Sequence, residues 1–168
     1  DDYRDERWVE HSVREMAGQR IFGLALGYED LNDHEFLRAD PLLAVLCEKA
    51  DPTGSDRLRP EDQGKPLAGK STLNRLEHGQ GSFSRYKKVV VREEAVADLF
   101  VTQFIRRQRD IPTRLVLDLD ATDDPLHGKQ EGRFFHGYYD SYCYLPLYIF
   151  CGDDLLCAKL RPSNIDAS

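Results

Sequence analysis

Apolar residues recur at helical spacing through the first two thirds of the chain and at a period of two in the last third. Between Asp5 and Arg20, Trp8, Val9, Val13, Met16 and Ala17 fall on one helical face, and Gly18 is the expected stop. Residues 21–28 are apolar almost all round, which predicts a short buried helix. Asp40 before Pro41 is a start signal, so a helix over 41–50 should bury Leu42, Leu43, Val45 and Leu46. Residues 51–70 are rich in Pro, Gly, Asp and Lys and predict a surface loop or mobile linker. Ser71 then offers an N-cap for a helix over 72–78 closed by Gly79, with Leu73 and Leu76 inward. The longest helical signal is Glu93 to Arg107, where Val96, Leu99, Phe100, Gln103 and Phe104 make one stripe.

The pattern changes at Arg114-Leu115-Val116-Leu117-Asp118-Leu119-Asp120-Ala121-Thr122. Alternation puts Leu115, Leu117 and Leu119 on one face and Val116, Asp118 and Asp120 on the other. A carboxylate at the tip of a buried strand costs several kcal/mol unless a cation or a hydrogen-bond network meets it, which makes Asp120 a candidate metal ligand. A plainer role also fits: Asp120 caps the turn made with Thr122 and Asp123. Three further β-rich runs follow, 134–139, 144–150 and 154–160, with a two-residue turn at Cys151-Gly152-Asp153-Asp154. Short connections predict an antiparallel meander. Helices first and strands after them give a mixed α/β, or α+β, layer fold.

A chain of 168 residues with 40% hydrophobic content can bury one good core. Its opening on Asp1 and its ending on Pro162-Ser163-Asn164, which reads as the start of another helix, suggest a piece of a longer protein. No apolar run approaches the roughly 18 residues that cross a bilayer, so a soluble, cytoplasmic protein without a membrane partner is expected. Cys47, Cys143, Cys151 and Cys157 lack a CxxC pair and read as reduced core residues. His127, Glu131 and His136 match no zinc spacing.

The net charge of −7 is unevenly spread, with residues 1–64 at −8, 65–114 at +6 and 115–168 at −5. Within the basic island Lys87, Lys88, Arg106 and Arg107 are candidate nucleic-acid contacts. The arginines also complement the C-terminal dipole of the 93–107 helix, which explains them without any ligand. The pattern divides the chain into a helical region 1–64, a basic helical region 65–113 and a strand region from 114 to 168.

The run Leu117-Asp118-Leu119-Asp120-Ala121-Thr122-Asp123-Asp124-Pro125-Leu126-His127-Gly128, with Tyr138-Tyr139, Tyr144-Leu145-Pro146-Leu147-Tyr148 and Leu156-Cys157-Ala158-Lys159-Leu160-Arg161-Pro162, resembles the first catalytic strands of bacterial DDE-type insertion-sequence transposases. The likeness is to transposase DDE domain group 1. Pro66-Leu67-Ala68-Gly69-Lys70-Ser71-Thr72-Leu73-Asn74-Arg75-Leu76-Glu77 also resembles a segment those proteins carry, so the likeness runs from about residue 18 onward. It implies the first strands of a ribonuclease-H-like mixed sheet, truncated here. It further implies cleavage and strand transfer of double-stranded DNA at transposon ends and target, with two Mg²⁺ or Mn²⁺ ions and action as a homodimer on DNA.

The family's first acid falls on Asp120 as catalytic residue and metal ligand, whereas its second Asp and its Glu have no match in this sequence. One carboxylate cannot position two ions, so the chain alone is expected to be inactive. Asp118 would be a secondary ligand or a neighbour that shifts the Asp120 pKa, unless it only bonds a nearby backbone or basic group. Two other readings are kept: a non-catalytic nucleic-acid-binding or assembly module using the basic island, and a different ribonuclease-H-like nuclease.

Overall fold

The computed structural model describes residues 1–78, 84–85, 87–130 and 132–165. The chain divides into two compact units, Asp1–Val91 and Arg92–Ser168. Gly79, the expected helix stop, the loop after it and Glu131 lie outside the described residues.

In the first unit, α1 spans Val13–Ala25 and opens with a reciprocal cap. Ser12 Oγ accepts from the Glu15 N–H at 3.2 Å, and the Glu15 carboxylate accepts from the Ser12 N–H at 2.7 Å. The helix runs through Gly18 and absorbs the predicted second helix as far as Ala25. An interior glycine lowers helix stability by only about 1 kcal/mol relative to alanine, less than this cap and the burial of Met16 and Gln19 restore. The next elements are α2, His34–Leu37, and α3, Pro41–Leu46. Asp40 caps α3 as its sequence predicts, accepting from the Leu42 and Leu43 N–H groups. The helix is one turn shorter than predicted, and only Leu43 and Ala44 of it are buried, while Leu42, Val45 and Leu46 are exposed.

Residues 51–69 correct the expectation of a mobile linker. The Asp51 carboxylate accepts from the Thr53 and Ser55 hydroxyls and from the N–H groups of Thr53, Ser55 and Asp56, and these bonds, the hydroxyls' first, hold it well below the usual carboxylate range. Gly54 sits at φ +69, and a Cβ there would lie 2.7 Å from the Pro66 nitrogen. The loop then dives inward, with Leu67 and Ala68 each 1% exposed. Leu67 joins Leu37, Leu43, Ala44 and Cys47 in one apolar cluster, while Ala68 joins Met16 and Leu73 in another. Helix α4, Lys70–Glu77, begins earlier than predicted, with Gly69 rather than Ser71 as N-cap and no side-chain cap.

The second unit starts with α5, Glu93–Arg107, whose limits are those its sequence predicts. No residue of it is fully buried; Phe100 and Phe104 are half-buried where the helix packs on the sheet, and Val96 and Leu99 are exposed. Strand β1 is Asp118–Ala121, shorter than the predicted run, and residues 114–117 are exposed and outside it. The remaining strands are β2, Asp124–Pro125; β3, Phe134–His136; β4, Ser141–Tyr144; β5, Leu147–Cys151; and β6, Asp154–Lys159.

They form two antiparallel sheets, β1-β5-β6 and β2-β4-β3, in place of one meander. The predicted strand 144–150 divides at Leu145-Pro146, both buried. Proline has no N–H for a ladder, and Leu145 spends its own N–H on Arg161 O at 2.8 Å. The chain therefore changes sheets there. The hairpin joining β5 to β6 turns at Gly152-Asp153 with Gly152 at φ +61, as the sequence indicates.

Gln19, 1% exposed, accepts from the Ala68 N–H at 3.0 Å and donates to the Ala68 C=O at 2.8 Å. Gln19→Ala strips both bonds from a buried peptide group, and at 1–3 kcal/mol per unsatisfied group it should destabilise the chain by about 2–4 kcal/mol. Urea unfolding of the variant measures the loss; a change below about 1 kcal/mol would mean that this pair does not hold the loop.

Candidate functional site

Asp120 lies in β1, opposite Tyr148 of β5, and Asp118 lies opposite Phe150. With the sheet order β1-β5-β6, β1 is an outer strand among the described residues. Both carboxylates are exposed. The expected buried strand tip is therefore corrected: no second neighbour covers β1 among the described residues, so water solvates both carboxylates.

Neither carboxylate takes a hydrogen bond or ion pair from a described residue, which also removes the turn-capping role for Asp120. The Asp120 oxygens meet no donor among the described residues. Next to it, the Tyr139 hydroxyl donates to the Ala121 C=O at 3.4 Å and ties the end of β1 to the β3–β4 connection. The Tyr139 ring lies 5.0 Å from that of His136, whose buried Nδ1 has no partner among the described residues. Among the described residues no three His, Cys, Asp or Glu side chains come together to hold a metal ion.

The four candidate nucleic-acid contacts are divided between the units. Lys87 and Lys88 belong to the first, where Lys88 O accepts from the Tyr3 N–H at 2.7 Å. Arg106 and Arg107 close α5 in the second, and Arg107 pairs with Asp154 at 2.5 Å. Asp154 opens β6, two strands away from β1, so this arginine stands about 10 Å or more across the sheet from the acidic strand. Dipole complementation and the Asp154 pair account for Arg107.

The family model for transposase DDE domain group 1 matches residues 1–168. The chain belongs to that family. Membership carries a transposition-related function, a polynucleotidyl-transferase or nuclease class, a DNA substrate and a general use of divalent metals. No curated protein and no solved structure matches the chain. Among the described residues of this transposase-family chain, no helix is long and apolar enough to cross a membrane. The four cysteines are free, and burial pushes the Cys47 thiol up to about 11.

Sequence reasoning missed a polar cluster in the first unit. His11 and Arg57 are 6% and 7% exposed and touch through His11 Nε2 and Arg57 Nη1. A guanidinium only donates, so His11 Nε2 accepts and the ring proton sits on Nδ1, which is buried without a partner among the described residues. Burial first, then the charges of Arg57, Lys49, Arg38 and Arg4, push His11 down to about 3. Its signal in the sequence was weak: one histidine and one arginine separated by 46 positions.

His34, buried on α2, is likewise held down, by burial and by Arg20. Arg20 and Gln19 both present donors to its ring, which has a single acceptor nitrogen when neutral, so only one contact is a hydrogen bond.

Both rings are neutral when folded and bind protons more readily when unfolded, near 6.5. The stability they contribute is complete above pH 6.5 and is lost as pH falls below it, for His11 toward about 3. In His11→Gln this part of the acid dependence should flatten; unfolding midpoints measured from about pH 7 to about pH 4 that stay parallel to those of the natural chain would refute it.

Proposed function

We propose that this chain contributes to metal-dependent cleavage and strand transfer of double-stranded DNA at insertion-sequence ends, with Asp120 as catalytic carboxylate and metal ligand. The observation that carries the reading is a free carboxylate in Asp120-Ala121-Thr122 at the end of β1, in a chain that the family model covers throughout. Carboxylate oxygens suit hard cations such as Mg²⁺ or Mn²⁺. When bound, such an ion neutralises charge developing on the scissile phosphate. Asp118, on the same face of the strand, would supply a further oxygen or orient a bound water.

The antiparallel pairing of β1 with β5 and of β5 with β6 supports a ribonuclease-H-like reading. Action as a homodimer on DNA in the bacterial cytoplasm belongs to the same proposal. One catalytic carboxylate, Asp120, cannot position two ions, so the 168-residue chain alone should show no strand transfer.

Asp120→Ala replaces an exposed, unpaired side chain and should leave the stability within about 0.5 kcal/mol of the natural chain. Mn²⁺ binding, followed by electron paramagnetic resonance, should weaken at least tenfold. Equal Mn²⁺ affinity in the two proteins would sink Asp120 as the ligand, and salt-dependent DNA binding without an ion there would favour the non-catalytic module.

A further inference from the structure

We infer that the large cavity of the first unit is a binding site for a backbone phosphate of DNA, an inference that rests on the DNA-processing reading above. The cavity measures about 890 Å³ and is walled by the start of α4, at Ser71 and Thr72, and by Arg38, Arg57, Arg59 and Arg75. Seven Arg and Lys residues line it against five Asp and Glu, although residues 1–91 as a whole carry 14 basic and 17 acidic side chains. Positive charge is thus gathered in the cavity against the sign of the surrounding chain. Arg59 and Arg75 are exposed and make no salt bridge with a described residue.

The start of α4 adds backbone donors. Its N-cap, Gly69, has no side chain to satisfy them. The Lys70 N–H is taken by Glu35 Oε1 at 2.9 Å and the Thr72 N–H by Gly69 O at 3.0 Å, but the Ser71 N–H has no acceptor among the described residues. A helix start of this kind favours an oxyanion.

A Cβ on Gly69 would lie 2.9 Å from Glu35 Oε1 and 3.0 Å from Arg38 Nη1, so glycine lets the ends of both side chains lie against the helix start. Independently, Arg57 sits in the cavity wall almost fully buried. Its carboxylate partners Glu10 and Asp62 are 3.3 and 3.5 Å away, and its Nε has no partner among the described residues. Arg38 Nε and His11 Nδ1 in the same wall are also unpartnered among them.

The residues fit one phosphate and not a nucleoside triphosphate. Gly64-Lys65-Pro66-Leu67-Ala68-Gly69-Lys70-Ser71 has the G-x-x-x-x-G-K-S spacing of a phosphate-binding loop, which requires a strand before it. No strand leads into it here; Ala68 spends its N–H and C=O on Gln19, the Leu67 N–H goes to Arg38 O, and Lys70 Nζ turns to Asn32 Oδ1 at 3.1 Å. The backbone cradle for a chain of phosphates is therefore absent, while the helix start and its arginines remain.

The test uses the whole 168-residue chain, a mixed-sequence DNA duplex and inorganic phosphate. Arg59→Ala/Arg75→Ala removes two exposed cations that make no salt bridge with a described residue. The double variant should lower duplex affinity roughly tenfold and reduce the slope of log affinity against log salt by about one to two. Arg14→Ala, whose side chain pairs with Glu48 and does not line the cavity, should bind as the natural chain does. Inorganic phosphate should compete with the duplex. Unchanged duplex affinity and salt slope in the double variant would overturn the inference, as would phosphate binding that the duplex does not displace, which marks a site for free phosphate. Asp120→Ala should keep duplex binding while losing Mn²⁺, so failure at either site is told apart from failure at the other.

Discussion

The first unit depends on one buried amide. Gln19 projects from α1 and closes two hydrogen bonds on the peptide group of Ala68, 49 residues on, where water has been excluded. Because a buried N–H or C=O left open is costly, the incoming loop has one place to dock. That docking seats Leu67 and Ala68 in two apolar clusters and delivers Gly69 to the start of α4. The helix start thus has its position from a long-range polar contact, and its short local sequence only allows it.

Electrostatics in the same unit follow from that placement. Asp62 bridges to Arg38 at 2.7 Å and to Arg57 at 3.5 Å, bringing two guanidinium groups to one carboxylate. Glu10 also lies 3.3 Å from Arg57 and Glu35 3.7 Å from Arg38, yet the positive charges of Arg57, Lys49, Arg38 and Arg4 add to burial in keeping His11 neutral beside them. Charge counts along the chain gave no hint of this, since residues 1–64 are the most acidic third. The positive cavity is a product of folding, because it gathers arginines that stand far apart in sequence.

In the second unit, β5 is the strand on which the acidic segment depends. It pairs with β1 through Asp118–Ala121 and with β6 through the hairpin, so it alone fixes the register that opposes Asp120 to Tyr148. On its other side β1 has no partner among the described residues, and its apolar residue Leu119 is 64% exposed. The carboxylates are consequently exposed and have no partner among the described residues.

Local rules were enough for the elements whose signals are local. Asp40-Pro41 determined the start of α3, the apolar stripe and charged ends of Glu93–Arg107 determined α5, and Gly152 determined the β5–β6 turn, because caps and turn residues act within a few positions. The Asp-Ala-Thr run and its neighbours likewise determined the family, as the match over residues 1–168 bears out. Tertiary structure alone decided that the chain would cross from one sheet to the other at Pro146, that residues 51–69 would be pinned and partly buried, and that β1 would be an outer strand among the described residues. Each of these turns on which distant group meets a given backbone donor or apolar face, and a pattern read along one chain carries no record of such meetings.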